Sequence, residues 1–205
     1  MGWAAFSLTY RAITPLHLGC HPLGFIRRTR YYVPGWTLWG AITAQLTRFC
    51  YPKASGSTYE EVGQFVADNL PTSYAYILVN GKLASPRFRK GRLFYGDLLM
   101  AEFEAQFVAS LGQTAIAPES LTAFTRSLHE TEVLTAYNLV SGEPVRWQFV
   151  IYMRRPWKAK VQRLKGLTPD DVLQALERLV LGGDRRYGLG LLRREGEPKP
   201  LKKVE

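Results

Sequence analysis

The sequence L-G-G-D-R-R-Y-G-L-G-L-L runs from Leu181 to Leu192 and sets four glycines around two arginines and a tyrosine. Glycine lets backbone N–H groups approach a ligand closely because it carries no Cβ atom. The arginines supply positive charge, and the tyrosine offers a ring on which a nucleobase could stack. A helix-like stretch precedes this segment and an apolar, strand-like stretch follows it. This setting favours a turn that binds a polyanion over a flexible linker.

Positive charge is concentrated at the two ends of the chain. The 205 residues include 27 lysines and arginines against 17 acidic residues, which gives a net charge of +10. Residues 1–59 hold six basic residues and no acidic one, and residues 154–205 hold another fourteen basic residues. If the two ends fold against each other, they form one basic surface, and a polyanion is its expected partner. The alternative from composition alone is a basic protein with scattered charges.

The apolar content and the cysteines limit the classes of protein to which the chain can belong. Hydrophobic residues make up 46% of the chain, enough to bury a core. Cys20 and Cys50 are the only cysteines, and neither their spacing nor their neighbours suggest a metal site, so we expect a reduced, cytoplasmic protein without a cofactor. Residues 1–10 alternate apolar and polar types, unlike a signal peptide, and no apolar run is long enough to cross a bilayer. No membrane partner is expected.

Hydrophobic periodicity predicts an alternation of strands and helices. The predicted strands are 3–13, a short strand at 31–33, 74–79, a return strand at 82–95 after the Asn80-Gly81 hairpin signal, 146–153 and 189–192. The predicted helices are 36–49, 57–69, 118–128 and 168–181. Residues 98–110 fit either a helix or a strand. This order predicts an α+β fold, namely a ferredoxin-like (RRM-related) β-α-β-β-α-β core with insertions. We expect a single domain over residues 1–205, with an insertion at roughly 98–144.

Segments near both ends resemble one family. Residues 14–19 read T-P-L-H-L-G, residues 32–41 read Y-V-P-G-W-T-L-W-G-A, and residues 181–190 read L-G-G-D-R-R-Y-G-L-G. This combination resembles the RAMP superfamily of CRISPR-associated proteins. Its members typically open with a strand, a TPLHIG-like turn and an IPGSSLRGAL-like helix start, and they end in a glycine-rich loop. The middle of the chain, roughly residues 55–145, matches only in the order of its elements.

The resemblance implies a role in antiviral defence, as a structural subunit of a type III CRISPR effector ribonucleoprotein complex that binds guide RNA (crRNA). The implied partners are CRISPR guide RNA, target RNA as a further candidate, and other effector subunits. By motif position, Pro34, Gly35 and Thr37 correspond to the helix start that approaches the RNA backbone, and Gly182–Gly190 correspond to the glycine-rich loop. We expect this loop and the N-terminal half to lie side by side.

The candidate RNA-binding residues combine glycine, basic and aromatic types. A helix N-terminus offers unpaired N–H groups to phosphate, and arginines before it add charge-assisted contacts. For the basic cluster around Lys90, a solvated hairpin tip is the alternative to RNA contact. The candidates are Arg27, Arg28, Arg30, Pro34, Gly35, Thr37, Arg87, Arg89, Lys90, Gly182, Gly183, Arg185, Arg186, Tyr187, Gly188 and Gly190.

The N-terminal loop lacks the residues of a metal-dependent nuclease. Family members that cut target RNA carry an aspartate after the first strand, whereas residues 14–35 contain no acidic residue. Metal-assisted phosphodiester cleavage needs carboxylates to hold the cation, so a non-cleaving subunit without a metal is predicted.

Two other functions stay open. One is a metal-independent CRISPR RNA processing endoribonuclease, with His21 or His17 as a general acid or base. The other is a protein–protein scaffold whose basic faces meet acidic subunits without RNA contact.

Overall fold

Strands contain more residues than helices do, and the longer helices pack on one side of the largest sheet. The computed structural model describes residues 2–125 and 127–201. Its strands are β1 (Gly2–Ala12), β2 (Gly19–Leu23), β3 (Ile26–Thr29), β4 (Tyr76–Val79), β5 (Lys82–Leu83), β6 (Pro86–Arg89), β7 (Arg92–Tyr95), β8 (Leu98–Leu99), β9 (Val108–Gln113), β10 (His129–Leu134), β11 (Arg146–Arg155), β12 (Arg178–Val180), β13 (Leu191–Arg194) and β14 (Lys199–Pro200). Its helices are α1 (Gly35–Cys50), α2 (Gly56–Asn69), α3 (Met100–Phe107), α4 (Gln162–Lys165) and α5 (Pro169–Ala175), with a 3-10 turn at Arg185–Tyr187.

The largest sheet has the strand order β12-β13-β1-β11-β4-β5, and β14 also pairs with β1. Every neighbouring pair in it is antiparallel. Strand β1 lies at its centre and pairs with β11 from Gly2 to Arg11. Side chains alternate along β1, so Leu8, Tyr10 and Ala12 are buried on the side that faces the helices. The combination of sheets and helices confirms the predicted α+β class.

Helix α1 forms over the predicted residues and buries the face that its spacing indicates. Leu38, Ile42 and Leu46 recur at helical intervals and are fully buried. Helix α1 packs against α2, α5 and β12, and α2 also packs against β11. Trp147 of β11 is the largest fully buried side chain. These contacts produce one cluster of buried residues between the helices and the sheet.

Two smaller sheets extend from this core. Strands β2-β3-β10-β9 form one of them, and β6-β7-β8 form the other. The Asn80-Gly81 turn is confirmed, with φ angles of 50° and 75°. The predicted return strand at 82–95 is instead divided, because Lys90 and Gly91 also adopt positive φ angles and turn the chain between β6 and β7. Residues 98–110 were predicted as either a helix or a strand, and they contain both, namely helix α3 followed by the start of β9.

Two helix predictions are wrong in whole or in part. The helix predicted at 168–181 begins at the Thr168 cap but ends at Ala175. Residues beyond it form β12, because Leu179 pairs with Leu192 and is buried there. The described part of 118–128 contains no helix. Its side chains have no buried face to pack, as Leu121 is 81% exposed and lies at a positive φ angle. Residues 1, 126 and 202–205 of the predicted single domain lie outside the described residues.

Candidate nucleic-acid interface

The glycine-rich loop is bound to the turn that follows β1. The backbone N–H of Gly183 donates to the carbonyl oxygen of His17 at 2.8 Å, and that of Gly190 donates to Pro15 at 2.8 Å. The N–H of Leu191 donates to the Thr14 hydroxyl at 3.0 Å. The two motifs that the sequence singles out, T-P-L-H-L-G and the glycine-rich loop, are therefore in direct contact.

Two of the loop glycines are required by close approaches of the backbone. Gly182 has a φ angle of +86°, and a Cβ atom there would collide with the His17 carbonyl oxygen. Gly190 has a φ angle of +88°, and a Cβ atom there would collide with the Leu181 carbonyl oxygen. Glycine is needed at these positions because the loop and its own two ends come close together. Gly182 and Gly190 therefore allow the loop to pack in this position. Gly188 also has a positive φ angle, but no atom lies within 4 Å of the place of its Cβ.

The middle of the loop projects three exposed side chains. Arg185, Arg186 and Tyr187 form the 3-10 turn, and all three are exposed, with Tyr187 at 76%. Neither guanidinium has a hydrogen-bond or ion-pair partner within residues 2–125 and 127–201. Two unpaired guanidinium groups beside an exposed ring can contact phosphate and stack on a base at the same time.

The three arginines of the β2–β3 hairpin have different surroundings. Arg27 is exposed, and Arg30 donates to the Gly19 carbonyl oxygen. The Nε of Arg28 lies 3.0 Å from an oxygen of Glu132, which also accepts from the Thr29 N–H at 2.8 Å. Glu132 raises the pKa of the Arg28 guanidinium. Arg28 therefore holds β3 to β10, and Arg27 is the one whose charge faces solvent.

A second acid contributes to the same cluster. The Tyr31 hydroxyl donates to Glu104 at 2.7 Å and lies 3.3 Å from a terminal nitrogen of Arg28. Burial raises the pKa of the Tyr31 phenol, and the hydrogen bond to Glu104 acts in the same direction. The phenol thus stays protonated and serves as a donor between the strands and helix α3.

Helix α1 begins at Gly35 without a side-chain cap. Pro34 precedes it, no acidic residue lies in the first turn, and the N–H of Thr37 returns to the Pro34 carbonyl oxygen at 3.0 Å. The N-terminal N–H groups and the positive end of the helix dipole are therefore not neutralised within the helix. The ring of Tyr74 lies close to Gly35. Its Cε1 atom is 3.8 Å from the position that a Cβ atom on Gly35 would occupy.

The two candidate histidines line one shallow cleft. His17 is buried, and its Nδ1 lies 2.7 Å from the Glu132 carbonyl oxygen. His21 is exposed, and both rings border a cleft with Cys20 and Arg27. Within the described chain, no cluster of three or more His, Cys, Asp or Glu residues is arranged to hold a metal ion.

The basic cluster on the β6–β7 hairpin lies in a different sheet from β1, β2 and β13. Arg87 is exposed, and Lys90 forms the turn. Arg89 pairs with Asp97 at 3.7 Å and lies over the Phe94 ring at 5.6 Å. No hydrogen bond between described residues joins this hairpin to the glycine-rich loop. It is a separate basic projection.

An aromatic group at the start of α1 was not predicted. The ring of Tyr32 lies 5.6 Å from that of Tyr74 and 6.3 Å from that of Tyr76. Trp36 in the first helical turn is 63% exposed. The sequence signal was the density of aromatic residues on both sides of Pro34. The proximity of Tyr32 to Tyr74 and Tyr76, however, depends on the bridge between Val33 and Ala75.

The fold has counterparts among solved structures. A chain in the cryo-EM structure of the Type III-B Cmr-beta bound to cognate target RNA superimposes with a TM-score of 0.55 and 11% identity, covering 93% of this chain and 96% of that one. This chain shares its fold with Type III-B Cmr-beta chains. A chain in the apo state of Cmr-beta gives a TM-score of 0.56 at 12% identity, with 98% of both chains covered.

A third Cmr-beta chain is longer. It comes from the complex with cognate target RNA and AMPPnP, and the match covers 98% of this protein but 64% of that chain, with a TM-score of 0.56 and 12% identity. No family model and no curated protein matches the sequence. In the described part of the protein, no helix combines the length and the apolar character needed to cross a bilayer.

Proposed function

We propose that this protein is a non-cleaving, crRNA-binding subunit of a cytoplasmic type III CRISPR effector ribonucleoprotein complex. In this proposal the chain is a single RAMP-type domain. Strands β13-β1-β11-β4, with α1 and α5, form its ferredoxin-like core, and residues 98–144 form an insertion. The antiparallel order of these four strands and the likeness to Cmr-beta chains support this assignment.

The main support for the proposal is the glycine-rich loop, whose two ends are fixed by hydrogen bonds. Hydrogen bonds to Pro15 and His17 fix its two ends, and two unpaired arginines and a tyrosine project between them. A loop fixed in this way loses little conformational entropy when it binds. Guide RNA is the proposed ligand, because a sugar-phosphate strand supplies both phosphates for the arginines and bases for the ring.

The proposed partners extend to target RNA and to other effector subunits. One similar chain comes from a Cmr-beta bound to cognate target RNA, which supports this extension. The absence of acidic residues in 14–35 supports a role in holding RNA without metal-dependent cleavage.

Purification without nuclease treatment tests the proposal directly. We expect the protein to carry RNA, seen as a raised ratio of absorbance at the nucleic-acid and protein maxima, and to bind a labelled CRISPR repeat RNA with a strong dependence on salt. A preparation free of nucleic acid that also fails to bind the labelled RNA at low salt contradicts the proposal and favours a protein–protein scaffold.

A metal-independent endoribonuclease remains the second candidate. It is favoured by one observation, namely that His17 and His21 line the same cleft as Arg27. In such a reaction one histidine takes the proton of a 2′-hydroxyl, whose oxygen attacks the adjacent phosphorus, and the 5′-oxygen leaves as a hydroxyl with a proton from the other histidine or from water. Incubation with repeat RNA in chelator should then give a product that ends in a 2′,3′-cyclic phosphate and that His21→Ala abolishes. Intact RNA excludes this candidate.

A further inference from the structure

Four arginines face one another across four neighbouring strands of the largest sheet. Arg178 of β12 is opposite Arg193 of β13, and Arg193 is opposite Arg11 of β1. Arg11 is in turn opposite Arg146 of β11. Residues directly opposite each other in antiparallel strands project to the same face of a sheet. These four residues, the arginine row, therefore form one line across the strands.

The arginine row lies on the face away from the helices. Its sequence neighbours Ala12, Trp147, Leu179 and Leu192 are buried in the core, so the arginines point to the opposite side. Because neighbouring strands are about 4.8 Å apart, the row is about 14 Å long. Helices α1, α2 and α5 pack on the core face, and on the outer face Arg178 and Arg193 are exposed whereas Arg11 and Arg146 are half-buried.

The row retains positive charge after its ion pairs are taken into account. Arg146 is paired with Glu195, with Nε to Oε2 at 2.5 Å and Nη2 to Oε1 at 3.2 Å. Arg193 lies 3.7 Å from Glu177. Arg11 and Arg178 have no acidic partner within the described residues, and the enclosed Nε of Arg11 has no acceptor. Like charges placed directly opposite each other destabilise a sheet, so the free protein carries an unfavourable arrangement here.

The position of the row connects it with the glycine-rich loop. The N–H of Ile13 donates to the Leu191 carbonyl oxygen at 2.9 Å, just beyond the pair formed by Arg11 and Arg193. The chain therefore leads from the row into the loop on one side and into the T-P-L-H-L-G turn on the other. The row and the glycine-rich loop are therefore adjacent along the chain at the end of β1 and at the start of β13.

We propose that the arginine row binds the sugar-phosphate backbone of single-stranded RNA that continues from the glycine-rich loop. The inference rests on the proposed function and extends its binding surface onto the outer face of the sheet. A guanidinium group presents a fork of donors that matches phosphate, and a row of them matches the repeat of phosphates along a strand. On one side of the row, the Gln148 side-chain amide donates to the Thr9 hydroxyl at 3.1 Å. On the other side, the half-buried Val180 and Leu191 lie opposite each other.

The test compares three double variants with the wild-type protein in titrations of a fluorescein-labelled single-stranded RNA of mixed sequence. R11Q/R178Q removes the two unpaired charges of the row, and R185Q/R186Q removes those of the loop. K53Q/K165Q is the matched control, because it removes two exposed charges from the helix side, where Lys53 follows the far end of α1.

We expect R11Q/R178Q to bind RNA about tenfold more weakly than the wild type and to lower the salt slope by about 0.7 for each lost phosphate contact. The control should stay within about twofold of the wild type. The unfolding temperature of free R11Q/R178Q should equal or exceed that of the wild type, because the substitution relieves facing like charges. This measurement separates weaker binding from loss of fold.

The outcomes also separate this inference from the proposed function. If R185Q/R186Q weakens RNA binding but R11Q/R178Q behaves like the control, the row inference is overturned and the proposed function stands. If neither variant differs from the control, both are overturned. If R11Q/R178Q keeps the RNA affinity but no longer co-elutes with the other subunits of the assembled particle, the row is a protein-docking surface and the inference is again wrong.

Discussion

The backbone N–H of Gly183 lies 2.8 Å from the carbonyl oxygen of His17 and donates a hydrogen bond to it. This bond joins a loop late in the chain to the turn that follows the first strand. His17 in turn is held from its other side, since its Nδ1 contacts the Glu132 carbonyl oxygen at 2.7 Å. Three distant segments therefore meet at one residue, which explains why the surroundings of His17 are so tightly packed.

Gly182→Ala should destabilise the protein more than Gly188→Ala. Both glycines have positive φ angles, of +86° and +85°, but a Cβ at 182 collides with the His17 carbonyl oxygen whereas a Cβ at 188 meets open space. We expect a loss of more than about 2 kcal/mol in the free energy of unfolding for Gly182→Ala and about 1 kcal/mol for Gly188→Ala. Urea denaturation of both variants measures the difference. Equal losses of stability in the two variants would contradict the close packing of Gly182 against His17.

R185Q/R186Q should weaken RNA binding and leave the fold intact. Both side chains are exposed and have no partner among the described residues, so their removal costs the free protein little. We expect the slope of the logarithm of affinity against that of salt concentration to fall in magnitude by about 1.4. Fluorescence anisotropy at several salt concentrations measures the slope. K53Q/K165Q serves as the control of equal charge, and the same slope in both variants would argue against loop contact.

Tyr187→Ala should weaken RNA binding, and Tyr187→Phe should restore most of it. The ring is 76% exposed and contributes nothing to the core, so it is free to stack on a base of the proposed RNA ligand. Stacking of a base on an aromatic ring contributes about 1–3 kcal/mol, which predicts at least about a fivefold loss for alanine. Binding titrations of both variants, with thermal unfolding as the check on fold, measure this. Equal affinity for alanine and wild type would remove Tyr187 from the interface.

Glu132→Ala should lower stability. Glu132 accepts hydrogen bonds from the Arg28 Nε at 3.0 Å and from the Thr29 N–H at 2.8 Å, and its side chain is only 12% exposed. Its removal leaves these donors without an acceptor, which costs about 1–3 kcal/mol. Chemical denaturation should show this loss, while Glu119→Gln, at an exposed position, should match the wild type. An unchanged midpoint for Glu132→Ala would show that the cluster contributes no stability.

Local sequence predicted the elements whose signals are local. The apolar spacing of α1, the alternation of β1 and the Asn80-Gly81 turn each depend on neighbouring residues, and each is found where predicted. Strand β12 was missed because residues 169–181 continue an apolar pattern that suits a helix. Its conversion to a strand depends on pairing with β13, which no local signal reveals.

The candidate site also combines features that the local sequence shows with features that it does not show. The glycine-rich loop and the T-P-L-H-L-G turn stand out in the sequence by composition, whereas the arginine row does not. Arg11, Arg146, Arg178 and Arg193 come from four separate segments, and their alignment follows from the register of three strand pairs. A shift of one residue in any of these pairs would send an arginine into the core. Register of this kind is set by tertiary packing and is not readable from single segments.

The position of β1 has a consequence for synthesis on the ribosome. Strand β1 leaves the exit tunnel before the other strands of its sheet, yet its neighbours β11, β13 and β14 all come from residues 146–200. Until those residues emerge, both edges of β1 remain unpaired and its apolar face lacks its cover, which are conditions that favour aggregation and chaperone binding. Such long-range pairing also slows folding. Yields of this protein should therefore respond to slower translation and lower growth temperature.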